Sequence, residues 1–310
     1  MTSAFGKVIL VGEHAVVHGR AALAAAIDRQ VKVWFEGRAS GPISLVVPHW
    51  NVSVSVGEAH PLADALGILA QEVGAEHLSV SLHALAELPP AAGLGSSAAT
   101  MVSVARALAA AAGRRLDPER LEEIATAGER CFHGNPSGID VALAARGGMG
   151  LYRRSTGLQP VTPAAPLELA VGVSGEPRST ADMVARVTAA LAARPDETGA
   201  LLDELGQGAE AGAAALETGD LDALAGRMAR AQEILAGLGL STRGIDTMIE
   251  AALREGAMAA KLTGAGGGGA VIALAPAGKT EEVISAWRAL GRNAFRVQAG
   301  APANAHGERP

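Results

Sequence analysis

The segment Pro90–Ala99, Pro-Ala-Ala-Gly-Leu-Gly-Ser-Ser-Ala-Ala, constrains this chain more than any other. Its proline and spaced glycines rule out a regular element through residues 90–95. From Ser96 to Ala112 the composition is that of a strong helix, with Ser96 or Ser97 as its cap. Glycines let a backbone approach an anion closely. The helix that follows aims free N–H groups and a positive dipole end at the same place. One of the paired serine hydroxyls could in addition reach Mg²⁺. Pro90, Ala91, Ala92, Gly93, Leu94, Gly95, Ser96 and Ser97 are therefore the candidate triphosphate-binding residues. Two other nucleotide signatures are weaker. Gly93-x-Gly95-x-x-Ala98 fits a relaxed dinucleotide fingerprint, which would make the chain an NAD(P)-dependent oxidoreductase, but it follows several strands rather than opening a first βαβ unit. Gly278-Lys279-Thr280 ends like a P-loop, yet Ala273 stands where its first glycine belongs.

Three further segments carry candidate chemistry. Glu129-Arg130-Cys131-Phe132-His133-Gly134-Asn135-Pro136-Ser137-Gly138-Ile139-Asp140 places two carboxylates on either side of a rigid turn. One of them can hold Mg²⁺ while the other sits near a reacting hydroxyl. Lys261-Leu262-Thr263 runs into Gly264–Gly269, where five of six residues are glycine. Such a run cannot pack side chains, so it turns sharply or lies against something. Gly6-Lys7-Val8-Ile9-Leu10-Val11-Gly12-Glu13-His14 sets a lysine early on an apolar strand and Glu-His at its exit. Only four lysines, Lys7, Lys32, Lys261 and Lys279, occur beside 22 arginines. A lysine retained against that bias suits a compact point charge, and Lys7 and Lys261 both lie in the singled-out segments.

Composition excludes several classes. A net charge of −6 and only eight aromatic residues argue against nucleic-acid binding. One cysteine, Cys131, excludes an intramolecular disulfide framework and a cysteine-based zinc finger. The apolar run Ala21–Ile27 is too short for a membrane span, and the N-terminal residues lack a signal-peptide pattern, so a cytoplasmic protein without a membrane partner is expected.

Strand patterns occur at Phe5–Val11, Val31–Phe35, Ile43–Val47, Val52–Val56 and Leu78–Leu85, the third and fourth forming a hairpin. Helical spacing marks Pro61–Val73 and Pro118–Phe132. Beyond the strand-like Met149–Tyr152 and Leu167–Val173, helices dominate: Ala181–Ala193, Glu197–Leu216, Leu221–Leu235, Thr242–Arg254 and Lys279–Leu290. Short strands are expected at Met258–Leu262, Ala270–Leu274 and Ala294–Val297, and a frayed tail at Gly300–Pro310. Strands early and helices late favour an α+β fold over regular βαβ alternation. A boundary near residues 153–166 divides an N-terminal nucleotide-binding domain, 1–160, from a C-terminal domain, 161–310.

Taken together and in this order, the four segments resemble the GHMP small-molecule kinase superfamily, and within it the mevalonate kinases most. Gly12–Gly19 and His133–Asp140 carry the closer resemblance, which spans residue 5 to about residue 298. It implies a ribosomal-protein-S5-like N-terminal domain and a ferredoxin-like C-terminal domain, with ATP and substrate in the cleft between them. It implies phosphorylation of the 5-hydroxyl of mevalonate, a step of isoprenoid precursor synthesis, with phosphomevalonate kinase, homoserine kinase and a non-catalytic nucleotide-binding regulator as rival readings. Asp140 and Lys7 match the family's catalytic pair, and Ser97 and Glu129 its magnesium ligands. Glu13, His14, Ser137, Arg178, Thr180, Gly264 and Ala265 fall on the substrate side. A homodimer is one assembly the resemblance allows. Thr100 departs from the aromatic that several relatives carry beside the nucleotide, and the region between Val56 and Leu78 is compact.

Overall fold

The structure, a computed structural model, describes residues 1–132, 137–177 and 179–301. His133, Gly134, Asn135, Pro136 and Arg178 thus lie outside the described residues, as does the chain after Ala301. In chain order the N-terminal half contains β1 (Thr2–Val11), β2 (Ala22–Gly37), β3 (Ser44–Val47), β4 (Val52–Ser55), α1 (Pro61–Val73) and β5 (Val80–Ala86). It continues with α2 (Ser96–Ala111), α3 (Pro118–Glu129), α4 (Ile139–Arg146), β6 (Met149–Arg153) and β7 (Gly157–Pro160). The second half contains β8 (Leu167–Val173), α5 (Thr180–Ala193), α6 (Pro195–Thr218), α7 (Leu221–Gly237) and α8 (Arg243–Arg254). It closes with β9 (Ala259–Thr263), β10 (Ala270–Leu274), α9 (Thr280–Ala289) and β11 (Asn293–Ala299).

Local chemistry sets most of these boundaries. The Asp117 carboxylate accepts from the Arg120 N–H at 2.7 Å and Pro118 occupies the first turn, starting α3. Ser179, Asp220 and Thr242 cap α5, α7 and α8 in the same way. Helix α2 differs from expectation: Gly95, at φ +73°, holds the N-cap position and no side chain caps the helix. Ser96 and Ser97 lie inside the first turn, so neither is the cap, and their hydroxyls are released for other partners.

Strand β2 is the spine of an 11-stranded sheet. Along one side it pairs with β1, from Thr2↔Val33 to Val11↔Leu23. Along the other it pairs in succession with β6, β11 and β5. Strand β11 continues into β8, β10 and β9, so one sheet runs through both halves of the chain. The sequence pattern had suggested a strand only over Val31–Phe35. The observed 16-residue strand includes Ala22–Ile27, all buried, so the alternation that marks a half-exposed strand is missing there. Strand β7 was not foreseen either; it pairs with β6 through Arg153↔Gly157. The expected fraying does not begin at Gly300. The Gly300 N–H donates to the Ala26 carbonyl at 2.8 Å, and the Gly148 N–H donates to the Ala301 carbonyl at 2.6 Å.

Helix α2 packs on β1 and β2, flanked by α1, α3 and α4. Helices α8 and α9 cover the β8–β11 part, and α6 and α7, from the second half, reach back to β1, β2 and β9. Among the described residues no helix is long and apolar enough to cross a membrane.

Strands β1 and β9 are joined by a side chain in place of a ladder. The Thr263 hydroxyl accepts from the Ile9 N–H at 2.8 Å and lies 3.1 Å from the Ile9 carbonyl, to which it donates. Thr263 is fully buried. Thr263→Val keeps the shape but orphans one buried donor and one buried acceptor, which costs roughly 2–4 kcal/mol. Urea unfolding should therefore show a clear loss of stability for Thr263→Val and a much smaller one for Thr263→Ser.

Candidate active site

Strand β1 carries Lys7 inside the sheet and ends in Gly12-Glu13-His14. His14 adopts φ +61°, a left-handed conformation uncommon outside glycine and held here by its surroundings. Its Nε2 donates to the Ala265 carbonyl at 2.9 Å, which leaves Nδ1 as a bare acceptor, buried and without a partner. Burial lowers the His14 pKa, opposed by the Ala265 bond and reinforced by His18, so the ring is neutral at pH 7.

Lys7 is 3 % exposed. Its Nζ lies 3.2 Å from Asp140 Oδ1 and donates to the Gly93 carbonyl at 3.0 Å. Its backbone N–H donates to the Leu94 carbonyl at 2.8 Å. One residue thus ties the glycine loop to the first turn of α4. The fit depends on Gly95, where a Cβ would stand 3.0 Å from Lys7 Cγ. Gly138 plays the same part for Asp140. It precedes α4 at φ +89°, and a Cβ there would lie 2.3 Å from the Tyr152 hydroxyl, which donates to the Ser137 carbonyl at 2.9 Å. The Asp140 side chain remains 37 % exposed, open to a ligand.

The Ser97 hydroxyl, freed from capping, lies close enough to the Glu129 carboxylate at the end of α3 to act against the rise in its pKa. Glu129 is buried, and its Oε1 has no partner. Burial pushes its pKa up to about 7, with Asp140 adding to the rise and Ser97 and Lys7 opposing it.

These groups meet at a cleft of about 160 Å³. Lys7, Glu13, His14, Glu129, Ser137, Asp140, Thr180, Gly264 and Ala265 all line it, together with the apolar Ile9, Val16, Val17, Ile139, Val141 and Val184. The loop Pro90–Ser97 does not line it directly. Gly93 and Leu94 reach it through Lys7, and Ser97 through Glu129. Pro90 borders a separate depression with His49, Trp50 and Asn293. Ala91 is exposed at positive φ, whereas Ala92 is buried. Sequence reasoning assigned no role to the apolar wall or to Lys261. The latter is fully buried on β9 and pairs with Glu13, and its retention as one of four lysines beside 22 arginines was the signal available.

The buried Glu129 carboxylate, with its Oε1 unpartnered, has a consequence for stability. A carboxyl whose folded pKa is raised favours the protonated folded state. Its contribution is complete below about pH 4.5 and is lost as pH rises through about 7. The cost at pH 8 is on the order of 3 kcal/mol. In magnesium-free buffer, Glu129→Gln should raise the thermal midpoint at pH 8 and leave it almost unchanged near pH 4.5. An equal effect at both pH values would contradict the burial of an ionised carboxylate.

The chain matches the GHMP kinases N terminal domain over residues 60–148 and the GHMP kinases C terminal domain over residues 213–293. It is 36% identical over 289 residues to a mevalonate kinase of Aeropyrum pernix, covering 90% of this chain and 89% of that one. It is 33% identical to a mevalonate kinase of Thermococcus onnurineus, covering 92% of each. Its fold superposes on the crystal structure of L. major mevalonate kinase in complex with R-mevalonate with a TM-score of 0.87, at 28% identity, covering 98% of this chain and 96% of that one. These likenesses show that the chain belongs to the GHMP kinases, ATP-dependent enzymes acting on small molecules, and within them to the mevalonate kinases.

Proposed function

We propose that the protein transfers the γ-phosphoryl group of ATP to the 5-hydroxyl of mevalonate, giving 5-phosphomevalonate and ADP. The observation that carries this reading is the pair formed by buried Lys7 and accessible Asp140 in one cleft, tied to the glycine loop by Gly93. In the reaction the acceptor oxygen bonds to the γ-phosphorus as the bridging P–O bond breaks, and its electron pair leaves with ADP. Catalysis is mainly positioning and charge neutralisation. Asp140 orients the hydroxyl and accepts its proton. Lys7 offers its cation to the oxygen that becomes anionic and to the transferring group. The first turn of α2, uncapped by any side chain, offers N–H donors to phosphate oxygens.

Ser97 and Glu129 suit a magnesium ion. They supply two hard oxygens, and the orphaned Glu129 Oε1 gains a partner when a cation binds. Among the described residues no cluster of three or more His, Cys, Asp and Glu could hold a metal. Two protein ligands supplemented by phosphate oxygens is the usual arrangement for Mg²⁺. The ion supplies neutralisation of the phosphate charge.

The acceptor end favours mevalonate. Val16, Val17 and Val184 offer an apolar wall to its methyl group. Among the described residues lining the cleft, Lys7 is the cation and is already paired with Asp140, while His14 is neutral. A dianionic phosphate calls for several cationic donors. A single carboxylate needs fewer, and Arg178, whose neighbour Thr180 lines the cleft, is our candidate for it.

Two measurements test the reading. ADP release should be most efficient with mevalonate, well ahead of 5-phosphomevalonate and homoserine. In the same assay Arg178→Ala should raise the KM for mevalonate and leave that for ATP alone. Equal or better turnover of either rival would refute the substrate assignment. Asp140→Asn should lower kcat by about 10²–10⁴-fold with ATP binding near normal. A variant within tenfold of the parent removes Asp140 as the base.

A further inference from the structure

Lys261 and Glu13 lie 248 residues apart, on β9 and at the exit of β1. Both side chains have no exposed surface. The Lys261 ammonium donates to Glu13 Oε1 and, at 2.6 Å, to the Leu262 carbonyl. Glu13 Oε2 is buried with no partner, and Glu13 lines the cleft that holds Lys7 and Asp140. A buried ion pair is a poor stabiliser, because the desolvation of two charges offsets their attraction, and an apolar pair of equal volume often does as well. Its neighbours on β9, Ala259, Ala260 and Leu262, are apolar and buried. Placing a lysine there needs another reason, and the cleft provides one.

We propose that Lys261 is a positioning residue for the acceptor. It grips one oxygen of Glu13 and leaves the other to accept a hydrogen bond from an uncharged hydroxyl of the substrate, distinct from the hydroxyl that is phosphorylated. On mevalonate that group is the tertiary 3-hydroxyl, so the inference rests on the reading of this cleft as the mevalonate site. The geometry has a second effect. Charges alternate along Lys261, Glu13, Lys7 and Asp140, and the fields of Lys7 and Lys261 both reach Glu13. With Lys261 in place, Glu13 is neutralised from behind and Lys7 remains with Asp140. Without it, Glu13 competes for Lys7. Thr263, two residues along β9 on the same face, fixes the register by closing both backbone groups of Ile9.

The test uses the full chain with Lys261→Met, Glu13→Gln and the double variant, assayed with mevalonate and with 5-hydroxy-3-methylpentanoate, which lacks only the 3-hydroxyl. The parent should prefer mevalonate by about tenfold or more in kcat/KM, as expected for a hydrogen bond to a charged acceptor. Lys261→Met should raise the KM for mevalonate about tenfold or more, leave the KM for ATP within about twofold, and reduce the preference to near unity. The double variant should be no worse than the single ones, since both act through one group. Lys261→Arg should restore part of the preference. A folded Lys261→Met that keeps the preference overturns the proposal. So does an equal loss on both acceptors, the mark of a merely structural role. If Lys261→Met does not fold, the double variant, which buries no lone charge, decides by the same preference, and its failure to fold also counts against the proposal. A parent inactive on mevalonate but active on another small alcohol overturns the acceptor assignment alone. Lys261 is then judged by that alcohol's KM against the KM for ATP, an unchanged ratio overturning its role.

Discussion

The site depends on how β1 is held. One edge of this strand pairs with β2, while at Ile9 the other side meets Thr263, whose hydroxyl serves both backbone groups in place of a neighbouring strand. A hydroxyl can do this because it both donates and accepts. The contact places the glycine loop after β9 against the end of β1, where the Ala265 carbonyl receives the His14 ring. Lys7 within β1 and Glu13 and His14 just past its end are therefore carried by one held segment. The glycine loop before α2, Glu129 and Asp140 come to it with α2, α3 and α4, which pack together on that part of the sheet.

Electrostatics in the cleft follow from burial. Lys7, Glu13, Glu129 and Lys261 are all at most 3 % exposed, so each charge needs compensation close by. Three are matched by ion pairs. Glu13 is pushed up by burial and pulled back by Lys261, while Lys261 is pushed down by burial and pulled back by Glu13. Lys7 is matched by Asp140. Glu129 has no ion-pair partner, and burial raises its pKa further than the nearby Ser97 hydroxyl and the Lys7 charge lower it. The release of Ser97 from capping is part of the same design, since a hydroxyl bonded to the helix backbone would not be free to reach Glu129.

Much of this was legible in the residues themselves. The starts of α3, α5, α7 and α8 are local chemistry: capped by Asp117, Ser179, Asp220 and Thr242, they fall within a residue of where the helical spacing begins. So is the β3–β4 hairpin, with Asn51 in the left-handed region. Four glycine- and charge-bearing motifs, meaningful in combination, pointed to the kinase family before any fold was known.

Other features were decided only in three dimensions. Ala22–Ile27 forms a strand because neighbours cover both its faces, and burial on both sides erases the alternation by which a strand is read. Gly95 takes the cap position from two better capping residues because the loop must turn in the left-handed region beside Lys7, where a side chain would crowd the lysine. The pairing of Glu13 with Lys261 spans nearly the whole chain, and no local pattern encodes which buried carboxylate a buried lysine will meet. The sequence determined by itself which backbone conformations and which chemical groups are present. Only the tertiary structure decided which charges compensate one another, because that depends on desolvation and on distances between residues far apart in the chain.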